Sequence, residues 1–536
     1  MRSVSYIRGD AGRLWLVLLA LVALTALATA SAVPEVTSPL RRPVTGSWEA
    51  HEHHPDLGDL ERPVVDIRTR TQNGRGSSGD RAVAHHAGAD VIRAPRWTKR
   101  APEARLFHTG VVATEPTLGI TKNGDLFFTG GRTNEPVCIC PTPIVMTSRN
   151  EGLSWKDVSP TGPDAHITSQ DPYTYVDKRT DRLFTVDYIG CSHISFSDDG
   201  GKSWDTGPPA GCGWNTDHQN LFAGPPPEGS EEPTGYPNVV YLCSIGGGAL
   251  AQTGSSSTCS RSLDGGLTFV PSGEPAFPPT PEWITTMGNC DGATAHGYVD
   301  SRGVVYLPRG WCGQPHLAIS EDAGATWRRV QVAGNGMPEM ASGYPDHEAG
   351  VVVDENGVIY YAWVAKDRLP YLSISRDRGE TWSKPMMVGP PGLNEAMLPA
   401  LEIGDPGKLA MTYMGSTDSP GAPWDAAAYG ETTWTAYVTM TPNALAREPV
   451  FFSAGVTDPD DDPLIEGPCG PLRCQAEFDF IDVQVGPDGD PWAVMVDGCP
   501  RKGECGVIGE GVVARLAGGP SLGRGVYPAG RGSPRS

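Results

Sequence analysis

One octapeptide pattern recurs five times in this 536-residue chain, and no other feature of the sequence restricts the fold as strongly. Its consensus is Ser-x-Asp-x-Gly-x-Ser/Thr-aromatic, and the copies are SRNEGLSW (148–155), SDDGGKSW (197–204), SLDGGLTF (262–269), SEDAGATW (320–327) and SRDRGETW (375–382). Successive closing aromatic residues are 49, 65, 58 and 55 residues apart. This period is typical of the four-stranded blade of a β-propeller.

The residue types of the octapeptide favour a tight turn that leads into a strand. An Asp carboxylate accepts backbone N–H bonds within such a turn, and the Gly adopts a positive φ. The closing aromatic ring then packs between sheets. We therefore expect a structural role for the four octapeptide aspartates, Asp199, Asp264, Asp322 and Asp377, and for Asn150, which replaces Asp in the first copy.

A second repeat consists of a strand, a polar turn and another strand, and its copies give the number of blades. Seven copies are present, at 115–130, 171–188, 218–244, 295–310, 347–363, 395–413 and 477–496. The predicted fold is an all-β propeller with seven blades of about 59 residues each, and six longer blades are the alternative. One strand is lacking after the seventh hairpin. The segment 106–113 can supply it, so that the two chain ends close the ring without an open edge.

The octapeptide resembles the Asp-box, or bacterial neuraminidase repeat, of the sialidase-like β-propellers, over roughly residues 107–516. The resemblance implies a propeller and points to glycan binding or glycoside hydrolysis. Sialidases, however, use six blades and begin with an Arg-Ile-Pro motif, which the opening segment RLFHTGVVATEPTL lacks. Tyr344 lies near Glu348, as a Tyr–Glu nucleophile pair requires, but no local motif marks the two residues. An acidic funnel would also repel an anionic sialic acid.

The two chain ends have a different composition from the repeats. Residues 1–32 combine three Arg, an apolar run and Ala-Ser-Ala, which predicts a signal peptide cleaved after Ala32, with an uncleaved membrane anchor as the alternative. Residues 33–104 are rich in Pro, Arg, His and Gly and predict a disordered linker whose His cluster could also bind metal. Residues 105–516 form the propeller, and 517–536 a disordered tail. We expect a secreted or cell-envelope protein.

The twelve cysteines are an even number, as expected for an exported chain in which thiols become oxidised. Zinc binding is the competing interpretation, but no pair of CxxC motifs supports it. Eight cysteines fall in loops of one face, the top, where the innermost strands of the blades begin. The bridges we expect there are Cys191–Cys212, Cys243–Cys259, Cys290–Cys312 and Cys469–Cys474.

The starts of the innermost strands bring ionisable residues to the top-face funnel, which is therefore the candidate site. Crowded carboxylates raise one another's pKa, as general-acid catalysis requires, and two of them could flank a glycosidic bond. The predicted catalytic residues are Asp171, Glu348 and Glu115. The predicted ligand-binding residues are Arg132, Arg309, His218, His296, Glu395, Trp311 and Trp363. A cation or water site, or an inert lining, remains an alternative for the ring, as does blade packing for the two Trp.

The charge of the chain restricts its partners. It carries 42 Lys and Arg against 63 Asp and Glu, a formal charge of −21, which argues against nucleic acid as a partner. We expect a monomer that binds a glycan or other cell-surface ligand and contacts a membrane only through an uncleaved N-terminus. No cofactor or metal is expected, although the acidic run 458–462 could bind Ca²⁺ weakly. Two functions remain open, a glycoside hydrolase and a non-catalytic binding or scaffold module.

Overall fold

The fold is a seven-bladed β-propeller, as the sequence predicts. The computed structural model describes residues 77–88, 90–96, 98, 100–132, 142–161, 172–188, 191–212, 216–246, 256–278, 294–311, 313–332, 349–421, 432–467, 481–499, 501–506 and 509–523. These residues form thirty-one strands and no helix, so this part of the chain holds no helix that could cross a bilayer.

Three strands precede the first blade. They are β1 (Ser77–Arg81), β2 (Val83–His86) and β3 (Glu103–Ala113). The first blade then contains β4 (Leu118–Ile120), β5 (Leu126–Arg132), β6 (Thr142–Ser148) and β7 (Lys156–Asp157). The second contains β8 (Tyr173–Asp177), β9 (Arg182–Tyr188), β10 (Ser192–Ser197) and β11 (Asp205–Thr206). The third contains β12 (Thr216–Gly224), β13 (Val239–Gly246), β14 (Ser256–Ser262) and β15 (Val270–Pro271).

The remaining blades repeat this order from the axis outward. Blade 4 contains β16 (Tyr298–Val299), β17 (Val305–Trp311), β18 (Gln314–Ser320) and β19 (Arg328–Gln331). Blade 5 contains β20 (Ala349–Val353), β21 (Ile359–Val364), β22 (Pro370–Ser375) and β23 (Met386–Met387). Blade 6 contains β24 (Glu395–Ile403), β25 (Leu409–Ser416), β26 (Thr433–Thr441), β27 (Val450–Gly455) and the short β28 (Ile465–Glu466). Blade 7 contains β29 (Asp482–Val485), β30 (Pro491–Asp497) and β31 (Gly509–Ala517), and β3 completes it.

Strand β3 closes the ring from the N-terminal side. It pairs antiparallel with β31, with Leu106 opposite Ala514, and so becomes the fourth strand of blade 7. At its far end Val112 also pairs with Gly131 of blade 1. The strand predicted to complete the last blade is therefore in place, and both sheets that meet at the closure have their edges covered.

Each octapeptide forms the turn between the third and fourth strands of blades 1 to 5. In blade 2, Asp199 Oδ1 accepts the backbone N–H of Ser203 (2.9 Å), and Oδ2 accepts the hydroxyl of Ser203 (2.6 Å). The hydroxyl of Ser197 donates to Asp199 Oδ1 (2.8 Å) and accepts the N–H of Gly201 (2.8 Å). Gly201 has φ 81°, which disfavours a side chain. The same bonds recur around Asp264, Asp322 and Asp377, and Asn150 forms the equivalent turn.

The hydrophobic core consists of layers between neighbouring blades rather than one central mass. One layer, between blades 5 and 6, contains Tyr360 and Tyr413, both fully buried. Each blade therefore stabilises the next through apolar contact, since burial of apolar surface provides most of the stabilisation. The ends of the first strands surround the axis.

Both predicted disordered segments are partly ordered. Within the predicted linker, β1 pairs with β3 on the outside of blade 7, and β2 pairs with β27 on the outside of blade 6. Both outer strands leave backbone groups that a further strand can satisfy, so this part of the linker folds onto them. At the other end, Leu522 is fully buried, and its carbonyl accepts the N–H of Asp405 (2.7 Å) in blade 6. Residues 33–76 and 524–536 lie outside the described residues, as does the predicted signal peptide.

The described residues contain three disulfides. Cys191–Cys212 and Cys243–Cys259 are two of the predicted bridges. The third, Cys499–Cys505, was not among the predicted pairs. The predicted bridges Cys290–Cys312 and Cys469–Cys474 lie outside the described residues. Cys191 and Cys499 follow the second strands of blades 2 and 7, whereas Cys243–Cys259 joins directly paired residues of β13 and β14 in blade 3.

Candidate functional site

Hydrogen bonds from one blade to the next fix the starts of the first strands around the axis. In three places a side chain of one blade accepts a backbone N–H of the following blade. The pairs are Asp482 Oδ2 with Leu118 N (3.0 Å), Thr117 Oγ1 with Thr174 N (2.7 Å) and Asn220 Oδ1 with Gly297 N (3.2 Å). At the top of the axial funnel, polar side chains thus connect successive blades by accepting backbone N–H groups.

A small polar pocket opens at the top of the funnel. Its centre is a hydrogen bond between the phenol oxygen of Tyr173 in blade 2 and Nδ1 of His296 in blade 4 (3.0 Å). The two rings lie 5.5 Å apart between centroids. The pocket is lined by Tyr173, His218, Gln219, Asn220, Thr294, Ala295 and His296. It therefore presents imidazole, phenol, amide and hydroxyl groups, the kinds of polar group that recognise hydroxyl-rich ligands.

The surroundings of the His296 imidazole favour its neutral form. Burial lowers its pKa, as does the neighbouring ring of His218, whereas Asp482 and Glu402 act in the opposite direction. Burial likewise raises the pKa of Asp482, against the opposing effects of His296 and of the backbone N–H groups of Leu118 and Val483. A neutral His296 can accept the phenol proton of Tyr173 or donate to it, depending on its tautomer.

A buried ion pair spans the axis below the pocket. Lys178 lies in the turn after β8, at the end of the blade opposite to the strand starts, and its Nζ is 2.8 Å from Oε2 of Glu402 near the end of β24. Blades 2 and 6 are not neighbours, so the pair spans the central channel. Both side chains are largely buried.

The first strands of blades 1, 3 and 6 each have a residue in the left-handed region within four residues of the strand start. These are Glu115 (φ 51°), His218 (φ 48°) and Leu398 (φ 55°), and irregularities in strand pairing occur next to the latter two. All three side chains are buried. His218 contributes to the pocket, whereas the predicted catalytic residue Glu115 is only 3% exposed and is not among the pocket-lining residues.

Glu395 is held in an ion pair rather than presented to a ligand. Its Oε1 pairs with Nε of Arg368, from the loop between β21 and β22, and its Oε2 accepts the hydroxyl of Ser419. Glu395 is fully buried and Arg368 is 3% exposed. This ion pair links blades 5 and 6, and loss of either charged partner would leave an uncompensated buried charge.

The predicted arginine and tryptophan ligands are buried in the blades. Arg309 is fully buried, donates from Nη1 to Ser257 Oγ (3.0 Å) and lies 5.6 Å from the centre of the Phe277 ring. Trp363 is also fully buried, with its ring 6.0 Å from that of Tyr371. These positions correspond to packing between blades, which the sequence left open for Trp363. The partly buried Trp311 packs edge-on against His316 at 5.2 Å.

Two of the three predicted catalytic residues, Asp171 and Glu348, lie outside the described residues, as does Tyr344. Arg132 ends β5, but its side chain is not described. Their roles remain predictions. Sequence reasoning also missed five pocket residues, which are Tyr173, Gln219, Asn220, Thr294 and Ala295. Each lies within two residues of a predicted site residue. The sequence therefore indicated the correct strand starts but not which of their side chains line the pocket.

No metal centre is present in this part of the chain. Among the described residues, no group of three or more His, Cys, Asp or Glu could hold a metal ion. Within the acidic run, Asp458 Oδ1 accepts the backbone N–H of Asp460 (3.0 Å), as in a turn.

Comparison with solved structures gives distant matches to other proteins. A protein of unknown function from Dyadobacter fermentans matches with a TM-score of 0.38 and 13% identity, over 77% of this chain and 98% of that one. An alpha-L-arabinanase of Penicillium chrysogenum matches at 0.36 and 14%, over 70% and 98%. A sialidase of Trypanosoma rangeli matches at 0.36 and 13%, over 77% and 55%. No family model and no curated protein matches the sequence.

Proposed function

We propose that this protein binds a glycan at the top of the propeller axis, in the pocket formed around Tyr173 and His296. The observation that carries the proposal is the chemistry of that pocket. It offers imidazole, phenol, amide and hydroxyl groups near the top of the axis, and the Lys178–Glu402 ion pair spans the axis further down. Such groups exchange hydrogen bonds with sugar hydroxyls.

Binding without hydrolysis fits the described carboxylates better than a two-carboxylate mechanism. Glu395 is paired with Arg368, Glu402 with Lys178, and Asp482 accepts two backbone N–H groups. These contacts give each carboxylate a structural task at the axis. A hydrolase therefore depends on Asp171 and Glu348, the predicted acid/base and its partner, and on a spacing between them that suits glycoside hydrolysis.

The proposal includes the family and the location suggested by the sequence. The five octapeptide turns are assigned to the Asp-box repeat of sialidase-like propellers, with a neutral glycan favoured over sialic acid. The signal-like N-terminus and three disulfides support a secreted or cell-envelope protein, because disulfides persist in oxidising compartments.

A binding and turnover screen tests the proposal. The purified protein is applied to an array of cello-, xylo-, manno- and arabino-oligosaccharides and sialyllactose, and the same compounds are assayed for release of reducing ends. We expect binding to a neutral glycan that weakens in Tyr173→Phe and His296→Ala. Absence of binding to every glycan defeats the proposal. Turnover that is lost in Asp171→Asn or Glu348→Gln, with the melting temperature kept, would establish the hydrolase instead.

A further inference from the structure

A chain of hydrogen bonds runs from the buried Arg309 to the wall of the axial pocket. Nη1 of Arg309 donates to Ser257 Oγ (3.0 Å), and Ser257 Oγ lies 2.6 Å from Thr294 Oγ1. Thr294 is one of the residues that line the pocket. Arg309 and Thr294 belong to blade 4, whereas Ser257 belongs to β14 of blade 3, so the chain joins two blades beside the pocket.

The backbone holds these three residues next to one another. Thr294 forms an antiparallel bridge with Arg309, and Ser257 forms one with Phe277, whose ring lies 5.6 Å from the guanidinium group of Arg309. Arg309 and Ser257 are fully buried, and Thr294 is 2% exposed. Bulk water therefore does not reach the chain, and its hydroxyl hydrogens need acceptors inside the protein or in the pocket.

The direction of the bonds follows from the chemistry of arginine. A guanidinium group donates and never accepts, so Ser257 Oγ is the acceptor in its bond with Arg309. Within the described part of the chain, the Ser257 hydroxyl has one other polar contact, which is with Thr294 Oγ1. If Thr294 donated in that contact, the Ser257 hydrogen would be buried without an acceptor, which is unfavourable. Ser257 therefore donates to Thr294.

This assignment leaves the Thr294 hydroxyl with a hydrogen to donate. A threonine hydroxyl carries one hydrogen atom, and Thr294 uses a lone pair in its bond with Ser257. No second hydrogen bond of this hydroxyl occurs among the described residues. The pocket that Thr294 lines contains about 190 Å³ of space, part of it open solvent. The hydrogen is therefore available to a group that enters the pocket.

Asn220 adds a second donor to the same pocket. Its Oδ1 accepts the backbone N–H of Gly297 (3.2 Å), which sets the orientation of the amide group. Its Nδ2 makes one long bond, to the carbonyl of His218 (3.4 Å), and the other N–H of Nδ2 forms no hydrogen bond with a described residue. Blades 3 and 4 thus offer O–H and N–H donors to the pocket, which suit an oxygen atom that accepts.

We propose that the Thr294 hydroxyl donates a hydrogen bond to an acceptor oxygen of the glycan in the axial pocket, and that Arg309, acting through Ser257, is the positioning residue that fixes this direction. The inference rests on the proposed glycan-binding function and deepens it, because it states the hydrogen-bonding role of the sugar at one point of the site. A ring oxygen, a glycosidic oxygen or a hydroxyl oxygen can accept from Thr294, whereas an ammonium group, which only donates, cannot.

Ligand analogues test the donor without any change to the protein. Calorimetry measures wild-type binding of the sugar that the array selects and of analogues in which one oxygen at a time is replaced by hydrogen or CH₂. We expect at least one position at which the replacement weakens binding about tenfold, the effect of one lost hydrogen bond. Equal binding of every analogue overturns the inference.

Thr294→Val identifies the residue that makes this bond. The variant removes the hydroxyl and keeps the shape, so it should bind the parent sugar about tenfold more weakly. It should bind one of the weakened analogues, the matching analogue, as strongly as the wild type does, because that bond is already absent. Thr294→Ser keeps the hydroxyl and should retain most of the affinity. Thr435→Val, which removes a buried hydroxyl bonded to Thr457 (2.8 Å) in blade 6, is the control. A loss that is equal for all analogues contradicts the assignment.

Ser257→Ala tests the positioning step and leaves the buried arginine in place. Thr294 then lacks the donor that directs its hydroxyl, so binding of the parent sugar should weaken about threefold while binding of the matching analogue is unchanged. Equal weakening of both would show a purely structural role for Ser257 and overturn the positioning role. Failure of the wild-type protein to bind any glycan defeats the proposed function together with this inference. Unchanged binding of the parent sugar by Thr294→Val defeats this inference alone.

Discussion

The phenol oxygen of Tyr173 lies 3.0 Å from Nδ1 of His296, so one hydrogen bond joins blades 2 and 4 across the axis, past the intervening blade 3. The first strands of a propeller normally contact only those of adjacent blades. Here a direct side-chain bond links two blades that are not neighbours. It forms one side of the proposed binding pocket and also braces the upper rim of the funnel.

Replacing Tyr173 by Phe should weaken both the rim and the binding site. The aromatic ring remains and the hydrogen bond is lost, which costs about 1 kcal/mol in the free energy of unfolding. Urea unfolding measures this cost, and calorimetry measures the loss of glycan affinity. The matched control is Tyr371→Phe, which removes a bond to the exposed Asp367 (2.7 Å) and should change neither quantity appreciably. Equal effects of the two variants on glycan affinity would contradict the assigned role of Tyr173.

The free energy of unfolding should depend on pH through Asp187. Its pKa is about 7 in the folded protein and 3.8 in the unfolded chain, so the folded state binds the proton more tightly. The stabilisation is complete below about pH 4 and is lost as pH rises to 7. A pKa difference of about 3 corresponds to about 4 kcal/mol in the free energy of unfolding. Urea unfolding of the wild type and Asp187→Asn between pH 4 and 8 measures it as the difference between the two curves. Parallel curves would show that Asp187 titrates normally.

Sequence periodicity predicted the blade count, the inner hairpins and the closing strand. Those features depend on local turn chemistry and on a repeated spacing that survives in every copy. The bond between Tyr173 and His296 could not be predicted in this way, because it depends on how blades stack around the axis. Likewise the left-handed φ of His218 and Glu115 rotates each strand start, which changes the side chains that face the funnel.

Several predicted site residues are buried in the blades, which explains why they do not line the pocket. Glu395, Arg309 and Trp363 do occur at strand ends near the top, as expected. Each is fully buried, however, in contacts within or between blades. Composition does not reveal whether a charged residue at a strand end faces the funnel or the next blade. A shift of one residue in strand register changes which of these two directions the side chain faces.

The octapeptide aspartates should matter for stability rather than for binding. Asp322 accepts the backbone N–H (2.9 Å) and the hydroxyl (2.6 Å) of Thr326 and the hydroxyl of Ser320 (2.8 Å). Burial acts to raise its pKa, but these hydrogen bonds outweigh burial and lower it. The stabilisation is therefore present above the pKa of the unfolded chain and is lost as pH falls.

Asp322→Ala should lower the free energy of unfolding by about 1–3 kcal/mol, because several turn donors lose their acceptor. Asp322→Asn should cost less, since Asn150 fills the same position in the first blade and accepts the N–H of Ser154 (3.0 Å). Urea unfolding at pH 7 ranks the variants, with glycan binding as the second measurement. A loss of binding in Asp322→Asn without a loss of stability would point to a functional aspartate instead.

The outer strand β2 should protect the edge of blade 6. His85 stacks on Phe451 at 5.8 Å between ring centroids, and its Nε2 lies 2.9 Å from Ser453 Oγ. A chain that begins at residue 101 lacks β1 and β2 and leaves β27 with unpaired backbone groups, so it should melt at a lower temperature and self-associate. Differential scanning calorimetry and light scattering measure both effects against a chain that begins at residue 77. Val83→Ser, at an exposed position of β2, is the control for a mere change of surface, and it should behave like the wild type. Identical melting and a monomeric state for the two truncated chains would mean that β2 contributes nothing to the stability of blade 6.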